Sequence, residues 1–335
     1  MRISIDAMGG DFAPREIVAG TVQAARTIPG VEKLFLVGRE EDIRKELAAY
    51  RNVPSVIEVV HAADVVEMGD SPVAALRRKK DSSISRSVDM VKKGEADALF
   101  SAGNTGAAVA ASTLKLRTLE GVWRPAIATV IPTPINPFIL LDAGATPDCT
   151  SDMLFQFGVM GSVYSQEILK IESPRVGLLS IGEEDAKGNE TTKEAFRLLD
   201  QSSLNFLGNV ESKDMFAGKV DVVVCDGFVG NVVLKTSESV ARALGRWVKD
   251  EVKSNPVAML GALLSMGVIR RMKKRADPNQ YGGAPLLGVN GVCIIGHGSS
   301  SHVAVTNAIK VACEWIKHDI NHRIVELVQR APEGV

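Results

Sequence analysis

Short runs of consecutive apolar residues alternate along this chain with longer stretches whose apolar positions follow a helical period. The short runs predict strands at 2–5, 33–37, 56–61, 98–101, 126–131, 138–142, 176–181, 206–210, 220–225 and 292–295. Several are apolar throughout, as strands covered on both faces are. The longer stretches predict helices at 15–27, 40–49, 83–92, 105–116, 151–171, 190–199, 231–252 and 301–328. This order implies a three-layer α/β/α sandwich with a largely parallel sheet. Right-handed crossovers then gather most strand-to-helix loops along one edge of that sheet. No internal repeat or low-complexity linker interrupts the order, so residues 1–335 read as one domain.

One segment departs from the rhythm. Residues 253–256 lead into the apolar run 257–269, which ends in Arg270, Arg271, Lys273, Lys274 and Arg275. Residues 253–275 therefore read as an amphipathic helical hairpin projecting from the sandwich. The apolar run is shorter than the roughly 20 residues that span a bilayer.

Composition removes several function classes. The 335 residues are 45% hydrophobic and 24% charged, with a formal net charge of −1. That balance argues against disorder and against a general nucleic-acid binder. Cys149, Cys225, Cys293 and Cys313 are scattered with no CxxC pair, so they read as reduced, mostly buried thiols rather than a zinc site or disulfide frame. The chain runs directly from Met1 into a strand pattern without a signal-peptide core, which points to the cytoplasm.

The chemistry gathers where strands end. Small-residue loops carrying Asp, Asn, Ser, His or Lys follow strand after strand: 6–11 (DAMGGD), 101–106 (SAGNTG), 142–145 (DAGA), 182–190 (GEEDAKGNE), 226–231 (DGFVGN) and 296–300 (GHGSS). Glycine admits a ligand close to the backbone, and a following helix N-terminus offers unpaired N–H groups, so such loops suit an anion. Each alone reads more readily as a turn and helix cap. Six together along one sheet edge point to an anionic-ligand site. No GxGxxG follows a strand, and GxxxxGK[ST], GxSxG and HExxH are absent, so no nucleotide, covalent serine or metal site is indicated.

The ordered strings resemble the phosphate acyltransferase (PlsX) family. They are 6–11, 69–73 (GDSPV), 77–84 (RRKKDSSI), 101–106, 182–184, 187–190, 226–231, 281–288 (YGGAPLLG) and 296–301, and they extend over essentially the whole chain. Residues 142–145 and 177–182 differ slightly, with Ala145 or Ser180 where the family form has Asn. The resemblance implies a fold like the isocitrate/isopropylmalate dehydrogenase and phosphotransacetylase sandwiches. It implies reversible transfer of a fatty acyl group from acyl–acyl carrier protein to inorganic phosphate, with no cofactor. The acyl phosphate would then pass to a membrane glycerol-3-phosphate acyltransferase. It also implies a homodimer that associates peripherally with the membrane.

For that reaction phosphate is the nucleophile, so no activated side-chain nucleophile is needed. Candidate phosphate contacts are the Gly9 and Gly10 backbone, Asn104, Thr105, Lys187 and Asn231, with further charge from Lys79 and Lys80. His297 is the candidate proton donor to the leaving thiolate, or an oxyanion donor, while Asp6, Asp226 and Glu184 orient these groups. Asp6 and Asp226 read equally as helix caps, and residues 77–80 equally as a solvated helix face. His61, His302, His318 and His322 read as structural or surface residues. The hairpin, through Leu260, Leu263, Leu264, Arg270, Arg271, Lys273 and Lys274, reads three ways: an anionic membrane contact, a dock for the acidic carrier protein, or a dimer-packing arm. Two other readings stand beside the enzyme: a non-catalytic scaffold at the membrane, and, on fold analogy alone, an isopropylmalate-type dehydrogenase.

Overall fold

The computed structural model describes residues 1–275 and 277–329. The strands are β1 (Arg2–Asp6), β2 (Lys33–Gly38), β3 (Ile57–His61), β4 (Ala98–Ser101), β5 (Ala126–Ile127), β6 (Thr129–Ile131), β7 (Phe138–Leu141), β8 (Val176–Leu179), β9 (Phe206–Val210), β10 (Val222–Val224), β11 (Ala284–Leu287) and β12 (Val292–Ile295). The helices are α1 (Arg15–Thr27), α2 (Glu40–Leu47), α3 (Pro72–Arg78), α4 (Ser83–Lys92), α5 (Thr105–Leu116), α6 (Ser151–Ile168), α7 (Glu190–Asp200), α8 (Ser212–Phe216), α9 (Gly227–Ser254), α10 (Pro256–Leu264), α11 (Met266–Arg275), α12 (His302–His318) and α13 (Ile320–Gln329).

The strands form two sheets, not the single sheet expected. A seven-stranded sheet runs β3-β2-β1-β4-β12-β11-β5, and a five-stranded sheet runs β6-β7-β10-β8-β9. Five neighbouring strands of the first and four of the second are parallel. β5, β6 and β11 supply the antiparallel pairs. The apolar run 126–131 is one stretch that changes sheet at Ala128, whose N–H donates to the Pro285 carbonyl. Among the described residues the chain passes between the sheets twice, at Ala128 and again between β10 and β11.

Parallel strands buried on both faces explain the unbroken apolar runs. β1, β4, β7, β10 and β12 are wholly or almost wholly buried, and α1, α6 and α12 lay their apolar faces on one continuous core. Asp319 adopts a left-handed conformation (φ 47°) and divides the expected helix 301–328 into α12 and α13.

The expected projecting arm is longer than residues 253–275. α9 begins at Gly227 and buries only Gly227 and Gly230, while α10, capped by Asn255, buries nothing. α10 folds back onto α9, and α11 follows after Ser265. No described helix is long and apolar enough to cross a membrane.

Candidate active site

Three loops meet at the C-terminal edge of the seven-stranded sheet, those after β1, β4 and β12. A Cβ on Gly9 would sit 2.6 Å from the Gly103 nitrogen, so the first two loops touch backbone to backbone. The Asp11 N–H donates to the Gly298 carbonyl (2.7 Å) and the Gly296 N–H to the Ser101 carbonyl (2.8 Å), which fastens the third loop to both. Beneath them lies Asp6, 3% exposed, accepting from Ser101 Oγ (2.6 Å) and the Met8 N–H (3.2 Å). Asp6 caps no helix. Burial raises its carboxyl above the ordinary range, opposed by the hydroxyls of Ser101 and Ser83 and the N–H groups of Met8 and Gly9.

His297 stands exposed at the rim. Its Nδ1 accepts from the Ser299 N–H (3.2 Å) and lies 2.8 Å from Ser299 Oγ. A neutral ring that accepts at Nδ1 carries its proton on Nε2 and offers it as a donor. Asn104 caps α5: its Oδ1 accepts from the Ala107 N–H, and its Nδ2 donates to the carbonyls of Glu67, Met68 and Asp70 at 3.0–3.3 Å. Its amide is therefore committed to holding the β3–α3 loop over the site. Lys79 serves the same loop, donating to the Val65 carbonyl (2.7 Å) and Asp70 (2.6 Å). Lys80 lines a separate cavity of about 600 Å³ beside Phe35, Glu58 and Val60 on the β2–β3 face. Thr105 is exposed at the first position of α5.

A second group of three loops lies at the C-terminal edge of the five-stranded sheet, after β7, β8 and β10. Its centre is Asp142, fully buried, which sequence reasoning did not select. Asp142 accepts from the N–H groups of Ile127 (2.8 Å), Gly144 (3.0 Å), Ala145 (3.0 Å) and Thr146 (2.6 Å). Burial raises its carboxyl, and these N–H groups work against the rise. The one available signal was an Asp closing an apolar strand ahead of a glycine. Cys149 and Cys225 flank it; burial and the charge of Asp142 push the Cys149 thiol up to about 12 and raise the Cys225 thiol well above its ordinary value, so neither supplies a thiolate.

The segments after β8 and β10 carry Lys187, Glu184, Asp226 and Asn231. Asp226 caps α9 through the Val229 N–H (2.8 Å). Asn231, exposed one turn later, lies above Gly144, where an added Cβ would be 3.5 Å from Asn231 Cβ. Lys187 is 48% exposed with its Nζ 4.0 Å from Glu184 Oε1, and its stem crosses Gly182. The six loops thus fall into two groups of three, not one edge. Ala143, Ala145 and Leu234 pack in one cluster with Ala107, Ala108 and Ala111, which sets the second group against the helix that Asn104 starts.

Two largely parallel sheets with glycine loops at their carboxyl ends define an α/β fold class, and solved structures of that shape exist. The fold superposes on a phosphotransacetylase from Streptococcus pyogenes with TM-score 0.62 at 16% identity, covering 95% of this chain and 94% of that one. A 4-hydroxythreonine-4-phosphate dehydrogenase from Klebsiella pneumoniae gives TM-score 0.52 at 14% identity, over 94% and 98%. Residues 1–323 match the family described as fatty acid synthesis protein. A phosphate acyltransferase of Pelotomaculum thermopropionicum is 49% identical over 335 residues, 100% of this chain and 96% of that protein. One from Aquifex aeolicus is 48% identical over 337 residues, covering 100% and 99%. The chain belongs to the phosphate acyltransferase family.

Proposed function

We propose that this protein transfers a fatty acyl group from the thioester of acyl–acyl carrier protein to inorganic phosphate, giving an acyl phosphate for phospholipid synthesis. The observation that carries the reading is the pairing of an exposed cation, held only by a long 4.0 Å ion pair to Glu184, and an exposed amide, Lys187 and Asn231, with backbone-built glycine loops at the strand ends of a family member. A phosphate oxygen attacks the thioester carbonyl, the new O–C bond forms, the C–S bond breaks, and the thiolate leaves and takes up a proton. Lys187, Asn231, Thr105 and the Gly9–Gly10 backbone hold the dianion. Orientation of this kind lowers a barrier by roughly 7–11 kcal/mol when well aligned. The Nε2–H of His297 donates to the oxyanion or the departing sulfur. Asp6 and Asp226 orient loops, and Glu184 accompanies Lys187. Lys79 and Asn104 act behind the site on the loop that covers it.

The arm serves the reaction's surroundings. Leu260, Leu263 and Leu264 are 59%, 59% and 81% exposed, and Arg270, Arg271 and Lys273 are exposed beyond them; the Lys274 side chain lies outside the described residues. That combination suits an anionic membrane surface, where the product meets a membrane glycerol-3-phosphate acyltransferase. The stripe Val240, Leu244, Trp247 and Val248 on α9 suits a second copy of the chain. The decisive assay is phosphate-dependent release of free thiol from an acyl carrier protein. No release with the wild-type protein rejects the reading.

A further inference from the structure

The loop that carries Lys187 rests on one buried side chain that the reaction has not yet used. Asn209 sits on β9 opposite Leu178 and is 6% exposed. Its Nδ2 donates to the Glu184 carbonyl at 2.9 Å, and the Lys187 N–H donates to that same carbonyl at 2.9 Å. The carbonyl is therefore the shared anchor of a side chain from the sheet and the backbone of the lysine. On the far side of the loop Lys213 pairs with Glu183 (3.0 Å), so its base is tied to α8 as well. Asn209 Oδ1 has no donor, and neither has the Oγ of Ser180 at the end of β8. Buried polar atoms are normally partnered, so an amide that spends its donor on this carbonyl while its oxygen goes unpaired is held there by the donor alone.

We infer that Asn209 is the positioning residue of Lys187, holding the Glu184 carbonyl so that the lysine's backbone, and with it the ammonium, stays aimed into the site. The assignment rests on the acyl-to-phosphate reading for what Lys187 does, but not for how it is held. The side-chain type follows from the geometry. Leucine fills the same space without a donor, and aspartate sets an acceptor against the carbonyl oxygen. Because Oδ1 is already unpartnered, Asn209→Leu removes one bond and one orphan together, so its cost to the fold is small.

The test uses the full chain with Asn209→Leu and Asn209→Asp, three readouts on each. Melting temperature should move by no more than a few degrees. Hydrogen exchange at the Lys187 amide should quicken about tenfold, and KM for phosphate should rise about tenfold, the scale of one lost hydrogen bond, with KM for the acyl donor unchanged. Unaltered exchange at Lys187 in both variants overturns the proposal, as does activity that falls only in step with melting temperature while KM for phosphate holds. If Asn209→Leu does not fold, Asn209→Asp alone decides. A wild-type protein that releases no thiol rejects the enzymatic reading, and the exchange measurement still settles the positioning role.

Discussion

The two groups of loops resemble one another in sequence and differ in what their side chains are free to do. On the seven-stranded sheet, Asp6, Asn104 and Lys79 are committed to hydroxyls, carbonyls and a carboxylate of the protein, while His297 stands exposed with its Nδ1 engaged by Ser299. On the five-stranded sheet one buried carboxylate, Asp142, gathers the N–H groups, and Lys187, Glu184 and Asn231 stay exposed. The first group supplies shape and the second supplies charge. A polar residue in a strand-end loop is thus equally suited to building a pocket or acting in it, and hydrogen-bond partners decide which.

Lys187→Ala tests the division hardest. Loss of the exposed cation should lower acyl phosphate formation by about 10²–10³-fold, with stability unchanged to within about 0.5 kcal/mol. Full activity would move the charge elsewhere. Gly230→Ala should act on the fold instead, because the new Cβ overlaps the Asp142 carbonyl oxygen. A loss of about 3 kcal/mol in denaturant melts is expected, and an unshifted midpoint would contradict the packing described. Asn104→Ala, removing a cap and the clamp on the covering loop, should cost about 1–2 kcal/mol and speed amide exchange across residues 64–71. Equal loss of activity with no change in that exchange would return Asn104 to the substrate.

Smaller effects follow from titration and from the arm. The hydrogen bond from Lys79 holds the Asp70 carboxyl below its ordinary value. Its support is complete above the ordinary carboxylate range and is lost as pH falls through the depressed value. Exchange across residues 64–71 should therefore quicken on acidification in the wild type and be quick at all pH values in Asp70→Asn. Leu263→Glu combined with Leu264→Glu should leave stability within about 0.5 kcal/mol. The same variant should abolish sedimentation with anionic vesicles; retained sedimentation would remove the arm from the membrane.

Much of this fold was legible because parallel strands buried on both faces write continuous apolar runs, and α1, α4 and α5 match their expected bounds. The change of sheet at Ala128 was not, since an apolar run carries no mark of which sheet each residue joins. β11 escaped because Pro285 and its flanking glycines read as loop, and Asp319 hid a left-handed break within a helical period. In the candidate site, His297, Lys187 and Asn231 stand out in the sequence as polar residues following strands, and the structure places the first two in loops and Asn231 in the first turns of α9. The engagement of Asn104 and Asp142 was not legible, because their partners are backbone groups, which every residue has.

The route of the chain between its sheets joins the arm to the candidate site. One link is a single residue, Ala128; the other is the whole excursion through α9, α10 and α11. The root of that excursion, the buried Gly227 and Gly230 at the start of α9, is its anchor in the sandwich, and Asn231 follows directly after it. The candidate site and the exposed arm therefore share one continuous helix, with Asn231 in its first turns and the apolar stripe of Val240, Leu244 and Trp247 further along it.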